Sequence, residues 1–451
     1  MKTNSMIIIV CIAVCGSFAC RRDLQVSDTM VDAVVAVTYD TAAGNFSFPK
    51  QGIKITLSNQ RTGNSLTYTT DANGKVIMEG ISSSVYNITA TISLSAAQYL
   101  SITGIKPKGD SVIFNASVNT TPINRERNTA VELKLQSGIV GDWVIKQIYF
   151  AGSHRTLGAL YRDQFIELYN NSTDTLYADS LYIATLIGVN NTTINTGTGY
   201  ISSGAFIGQY NWQQALNMPA NIDANNDYVY AKSMYMIPGT GTTYPVAPGK
   251  GILIAQTAVN HKAPFVGSDG TAISVQDPSL TVDLSSAEFE AYVAPYVSKP
   301  LDSDIDVPSS VNMEPVKIFG TDMIFDNPGR DGFAIIKVNT MEAAAKLRSD
   351  VYWTPNLQNP STTTQYNQIP VKFVLDAVET QPSTTTSRVP KKLRDNLDAG
   401  FTFVPGSSYS SQSVIRKTAK IVGSRIVLMD TNNSYNDFTY LAMANPRGFA
   451  N

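Results

Sequence analysis

The chain has 451 residues, enough for about three domains with real cores. Lys and Arg number 34 against 36 Asp and Glu, and this balance, with no basic excess, excludes a nucleic-acid binder. Charged residues reach only 16%, Tyr number 22, and His154 and His261 are the only histidines, so a His-rich metal site is out and an all-β, exported protein is expected.

Met1 to Met6 carries one cation, Lys2, and the apolar run IIIVCIAVCGSFA follows, 13 residues long. That is too short to span a bilayer and has the length of a signal-peptide apolar region. The run ends at Ser17 to Cys20, and a small residue before a cysteine is what lipoprotein signal peptidase requires. Residues 1–19 are therefore expected to be cleaved after Ala19, leaving Cys20 to take the lipid. Ser17 and Phe18 depart from the common lipobox, and looser boxes of this kind resemble those of Bacteroidota lipoproteins. The alternative is an ordinary secretory signal. All three cysteines, Cys11, Cys15 and Cys20, fall in this segment, so the mature chain has no disulfide and no thiolate metal site.

Residues 20–28 read as a tether and residues 29–136 as a first β-sandwich. VDAVVAVTYD is β-branched, and in GIKITL the residues Ile53, Ile55 and Leu57 alternate with Lys54 and Thr56. Thr62-Gly63-Asn64 and Asp71-Ala72-Asn73-Gly74 are turn clusters, and AVELKLQ is the closing strand. With Gly52, Gly63, Thr70, Gly74 and Tyr86 in place, this segment resembles a carboxypeptidase-regulatory or transthyretin-like β-sandwich. The resemblance implies a spacer module without catalytic residues.

Residues 137–451 start again. Val144 and Ile148 lie in an apolar strand, Phe165 to Asn170 spell FIELYN, and Val246-Ala247-Pro248-Gly249 precedes GILIAQ. These resemble the lamin-tail domain, an immunoglobulin-like sandwich. Together with VDLSSAEFE (282–290), VLDAVET (374–380), SVIRK (413–417) and MDTNNSYNDF (429–438), they resemble an uncharacterised family of large Bacteroidota lipoproteins. That family carries a domain of unknown function and occurs beside TonB-dependent outer-membrane transporters. The fold class expected is all-β, as tandem sandwiches with long insertions and few helices. The one convincing helix is MEAAAKLRSDV (341–351), with Glu342 early and Lys346 and Arg348 late, as the helix dipole favours.

Candidate chemistry is sparse. Glu167 in FIELYN is read as a structural carboxylate bonding a neighbouring strand or loop. Asp302, Asp304 and Asp306 have alternate spacing, but Val307 and Met313 stand where a calcium loop needs Gly and Glu, so a solvated acidic loop is expected. Asp223, Asn225 and Asp227 fail in the same way and suit an Asx turn, and MDTNNSYNDF suits a self-satisfied turn. His154 has no second ligand within metal spacing, and no hydrolase elbow, phosphate loop or HExxH occurs. No catalytic residue, metal or cofactor is assigned.

The segment 199–245 is read as an aromatic-rich insertion and the binding region. Tyr200, Tyr210, Trp212, Tyr228, Tyr230 and Tyr235 are the candidate contact residues, among Asn, Gly and Thr that suit an adaptable surface. Trp212 is the ring expected to contribute most, and some of these rings are expected to stay exposed.

The resemblance implies a lipid-anchored outer-membrane protein facing the cell surface, with the periplasmic face as the alternative. Its partners would be membrane lipid and a TonB-dependent transporter, and its role a non-catalytic accessory in iron or other nutrient uptake. The alternative is a structural or adhesive surface protein that binds a glycan, a peptide or another envelope protein.

Overall fold

Alternating side chains fold the first part of the chain into a closed pair of layers. A computed structural model describes residues 30–40, 46–104, 107, 111–124, 130–137, 142–357 and 364–450. The signal segment, the tether and Cys20 lie outside the described residues. Strand Met30–Tyr39 buries Val31, Ala33, Val35 and Val37, every second residue, as a half-buried strand requires. Seven strands run in the order Ser65–Thr69, Lys54–Asn59, Ser84–Ser95, Ser111–Ile123, Ala130–Ser137, Met30–Tyr39 and Lys75–Ser82. Strands Met30–Tyr39 and Ala130–Ser137 run parallel, and the other pairs are antiparallel. At the corner between Ser111–Ile123 and Ala130–Ser137 the ladder is short, Phe114 opposite Ser137 and Asn115 opposite Gln136. The two halves close there on one core that includes Ile53, Ile55, Leu57, Ile88, Leu133 and Leu135.

The second part is a larger sandwich. One sheet is antiparallel and runs Val351–Tyr352, Tyr366–Pro370, Tyr228–Met236, Leu181–Leu186, Gly332–Lys337 and Val374–Glu379, with Glu314–Lys317 also on Tyr228–Met236. The other runs Val311–Asn312, Phe289–Glu290, Gly251–Ala255, Phe165–Asn170, Trp143–Tyr149, Ser413–Arg416 and Phe438–Leu441. Ile145, Ile166, Leu168 and Ile254 of the second sheet meet Leu181, Ile183, Phe333, Ile335 and Val378 of the first. Both outer faces are covered too. Helix Met341–Ser349 lays Leu347 on one, beside Leu393 and Leu397, while Val282, Leu284 and Ala287 cover the other. This double covering buries every residue of WVIKQIY and FIELYN, charged ones included. The protein is thus all-β, built of sandwiches with few helices.

Burial on both faces forces polar side chains to find partners inside. Glu167 accepts from the Lys146 ammonium at 2.7 Å and from the Arg447 amide, so the structure gives it a packing role. Arg416 is buried among Asp376, Asp430 and Asp437, with its Nη2 2.6 Å from Asp376. The cluster in MDTNNSYNDF therefore neutralises a buried guanidinium as well as closing a turn. Asp304 corrects the expectation of a solvated acidic loop. It is 1% exposed, accepts from the Val293 amide, and burial pushes its carboxyl up to about 6. Asp302 and Asp306 are exposed, so the three acids do not share one face as their alternate spacing would place them in a strand; the chain turns at Asp302 and Ser303 and carries Asp304 inside.

The two sandwiches meet at polar contacts. Asp395 accepts from the amide and hydroxyl of Ser117, and the Asn115 side chain reaches the Thr431 carbonyl.

Candidate functional site

The aromatic residues of 199–245 are brought together, but inward. Trp212 is 6% exposed and stacks on Tyr230 with ring centroids 3.6 Å apart and planes at 11°. Tyr210 packs edge-on to Trp212 and stacks with Tyr200. The Tyr230 hydroxyl donates to the Ala224 carbonyl and accepts from Gln368, and burial pushes Tyr210 up to about 12. Asn225 caps the arrangement by accepting from the Trp212 amide, while Asp223 accepts from the amides of Asn225 and Asn226 in an Asx turn. Tyr235 lies elsewhere, in the core between the two large sheets.

This corrects the expectation that Trp212, Tyr230 and Tyr235 face a partner. The segment is not one insertion, because Tyr228–Met236 is a central strand of a sheet. Of its tyrosines, Tyr230 and Tyr235 are buried and Tyr228 half-buried; the Tyr230 hydroxyl finds an internal acceptor, whereas the buried Tyr235 hydroxyl has no hydrogen-bond partner among the described residues. Of the six candidates, Tyr228 lines a groove of about 590 Å³ with Tyr352, Lys346 and Asp350.

A larger cleft, about 970 Å³, opens where three loops converge on one end of the second sandwich. The hub is Phe150-Ala151-Gly152, just past strand Trp143–Tyr149. Its carbonyls are bonded by side chains and amides from all three loops. Asn327 donates to the Phe150 and Ala151 carbonyls, and Gln164 bridges Phe150 to Phe325. The amides of Tyr409 and Ser411 donate to Ala151 and Gly152. Two glycines make this convergence possible. Gly152 has φ +69°, and a Cβ there would run into the Leu160 carbonyl oxygen; Gly329 has φ +81°, and its Cβ would sit 2.6 Å from the Phe150 ring.

The third loop holds strain. Ser407, Tyr409 and Ser411 all take left-handed φ near +60°. Each costs about 1–2 kcal/mol for a residue with a Cβ. Such outliers gather where a side chain must be held for function. Here the loop presents Tyr409 to the cleft, with the Arg155 guanidinium 4.8 Å from its ring centre. On the opposite side Lys232 lies 5.1 Å from the centre of Phe319, a ring 41% exposed. The Lys232 ammonium is 2.9 Å from Asp331, which also accepts from the Asp326 amide. Arg330 engages Asp326 through Nε and Nη2, holding that carboxylate below its ordinary range despite burial.

His154, noted in the sequence as lacking a metal partner, lines this cleft. Its Nδ1 accepts from the amides of Thr156 and Leu157, which leaves the proton on Nε2. Among the described residues no group of three or more His, Cys, Asp or Glu stands where it could hold a metal ion. Sequence reasoning missed the cleft because its members, Arg155, Lys232, Phe319 and Tyr409, are far apart in the chain. The visible signal was the serine-rich PGSSYSSQS loop, whose conformation the sequence does not report.

Residues 247–445 match the family described as "Protein of unknown function (DUF4876)". No curated protein matches the chain. A crystal structure of a DUF4876 family protein from Bacteroides thetaiotaomicron is similar over 92% of this chain and 97% of its own, at 23% identity and a TM-score of 0.53. A DUF3823 family protein from Bacteroides ovatus aligns with 50% of this chain and 99% of its own, at 11% identity, and its TM-score of 0.15 carries no weight. The chain thus bears the sequence signature of the DUF4876 family over residues 247–445 and, over most of its length, the fold of a Bacteroides protein of that family.

Proposed function

We propose that this chain is a non-catalytic ligand-binding protein of a bacterial cell envelope. In this reading a lipid on Cys20 anchors it in the outer membrane, with the sandwiches at the cell surface. The first sandwich acts as the spacer that its carboxypeptidase-regulatory-like pattern implies. The lamin-tail-like part carries the ligand and serves as accessory to a TonB-dependent transporter in iron or other nutrient uptake.

The observation that carries the binding role is the cleft of about 970 Å³, with a cation over an aromatic ring on each of two sides and a strained loop forming one wall. Pockets of this size and mixed lining take small molecules. The anchoring is supported by the apolar run that ends at Ala19-Cys20. The transporter role is supported by the resemblance to large Bacteroidota lipoproteins.

Two measurements test it. Cys20→Ala should move the protein from the membrane pellet to the soluble envelope fraction, and persistence in the pellet after a carbonate wash would overturn the lipid anchor. Purification of the native protein in mild detergent should recover a TonB-dependent transporter by mass spectrometry. Recovery of matrix glycan or adhesive proteins without a transporter would support the structural or adhesive role instead.

A further inference from the structure

We infer that the cleft at Arg155 is a receptor site for a monocarboxylate that carries a ring with an apolar face, with the carboxylate on Arg155 and that face against Phe319. This rests on the binding role proposed above and adds the chemistry of the ligand.

The charge accounting comes first. The acids at the cleft are already engaged, Asp326 by Arg330 and Asp331 by Lys232. Among the described residues no carboxylate lies within ion-pair distance of Arg155, whose described partner is the Tyr409 ring. One positive charge is therefore left uncompensated at the mouth. A guanidinium is a planar fork that matches a carboxylate with two parallel bonds, and here it lies over the Tyr409 ring, 4.8 Å from its centre.

Two further donors complete the polar side. Lys232 has three N–H groups, and its Asp331 contacts, at 2.9 and 3.2 Å, leave one for a ligand oxygen. His154 keeps its proton on Nε2 because its Nδ1 is taken by two amides. Arg155, Lys232 and His154 thus offer N–H donors to a ligand's oxygen acceptors.

The apolar side asks for a ring. Phe319 is 41% exposed and borders the same cleft as Ile324 and Pro328. An exposed aromatic face beside apolar neighbours is satisfied by another apolar face. Gly320, next to Phe319, has φ +82°, a turn conformation that favours glycine. The left-handed residues at 407, 409 and 411 fix Tyr409 before any ligand arrives, which lowers the ordering cost of binding.

A sugar acid and an aromatic acid share this chemistry, and the probes separate them. The full-length protein in detergent is titrated by calorimetry with glucuronate and benzoate, and with their neutral counterparts glucose and benzamide. A carboxylate probe should bind at least about tenfold more tightly than its neutral partner, the worth of a charge-assisted pair. Glucuronate ahead of benzoate assigns a sugar acid, and the reverse order an aromatic acid. Arg155→Ala should remove the preference for carboxylate with an unchanged melting temperature, and Phe319→Ala should weaken both acids alike. Equal binding of acid and neutral probes, or undiminished acid binding to Arg155→Ala, overturns the ligand class and leaves the binding role standing. If no probe binds, and no material co-purifying with the native protein shields Arg155 from phenylglyoxal, the cleft is no ligand site and both readings fall.

Discussion

Trp212→Ala tests whether the aromatic segment is core or contact surface. The indole is 6% exposed, lies flat on Tyr230 at 3.6 Å and meets Tyr210 edge-on. Removing it withdraws about 200 Å² of buried ring surface, worth about 5 kcal/mol at about 25 cal/mol per Å². Large aromatic-to-alanine changes in cores cost about 3–5 kcal/mol, so about 4 kcal/mol is the expected loss. Residues 142–450 form the structural unit it belongs to, and a unit of this size has an unfolding entropy of about 0.65 kcal/mol/K. The melting temperature should then fall by about 6 °C, read by calorimetry on the purified protein. The fall should be accompanied by loss of protection at the Tyr230 and Gln368 amides in hydrogen exchange. A change under about 1 °C, with partner recovery lost, would refute the reasoning and return Trp212 to the surface.

Arg416→Met should be far more damaging than a surface change, by about 3–5 kcal/mol, because Asp376, Asp430 and Asp437 stay buried without their cation. Recovery of folded protein at about pH 5 compared with about pH 7.5 checks that the cause is charge, since protonation relieves it. The buried acids also predict a pH profile. Asp304 is held up to about 6 and Glu290 up to about 7 by burial, so the native state binds more protons than the unfolded chain between about pH 4 and 7. This contribution to stability is complete below about pH 4 and is lost as pH rises through 6 to 7. Asp304→Asn, which keeps an acceptor for the Val293 amide, should raise the urea midpoint at about pH 7.5 and flatten the profile; a lower midpoint there would contradict the burial argument. The fragment 29–136 should unfold cooperatively on its own, since the first core draws all its residues from that span. Absence of a cooperative transition would mean that the contacts of Ser117 and Asn115 with the second sandwich are required.

Period-2 alternation made the strands legible from the sequence. Met30–Tyr39 and Lys54–Asn59 alternate because one face meets the core and the other meets water, and the Gly-Asn-Asp turns between them follow from backbone sterics. The helix Met341–Ser349 was equally legible, since Glu342, Lys346 and Arg348 suit its dipole; the structure adds Thr340 as its cap. These are local properties, and the all-β class follows from them. Tertiary structure decided what faces what. FIELYN and WVIKQIY do not alternate in burial because a second layer covers both faces, and local pattern does not report how many layers a sheet receives. For the same reason Asp304 is inside although Asp302 and Asp306 are exposed, and Trp212 is core although Asn211 and Gln213 beside it in sequence are polar. The cleft lay furthest from the sequence. Arg155, Lys232, Phe319 and Tyr409 come from four separate stretches of chain, and only closure of the sandwich, with Gly152 and Gly329 letting the loops approach Phe150, sets each cation against its ring.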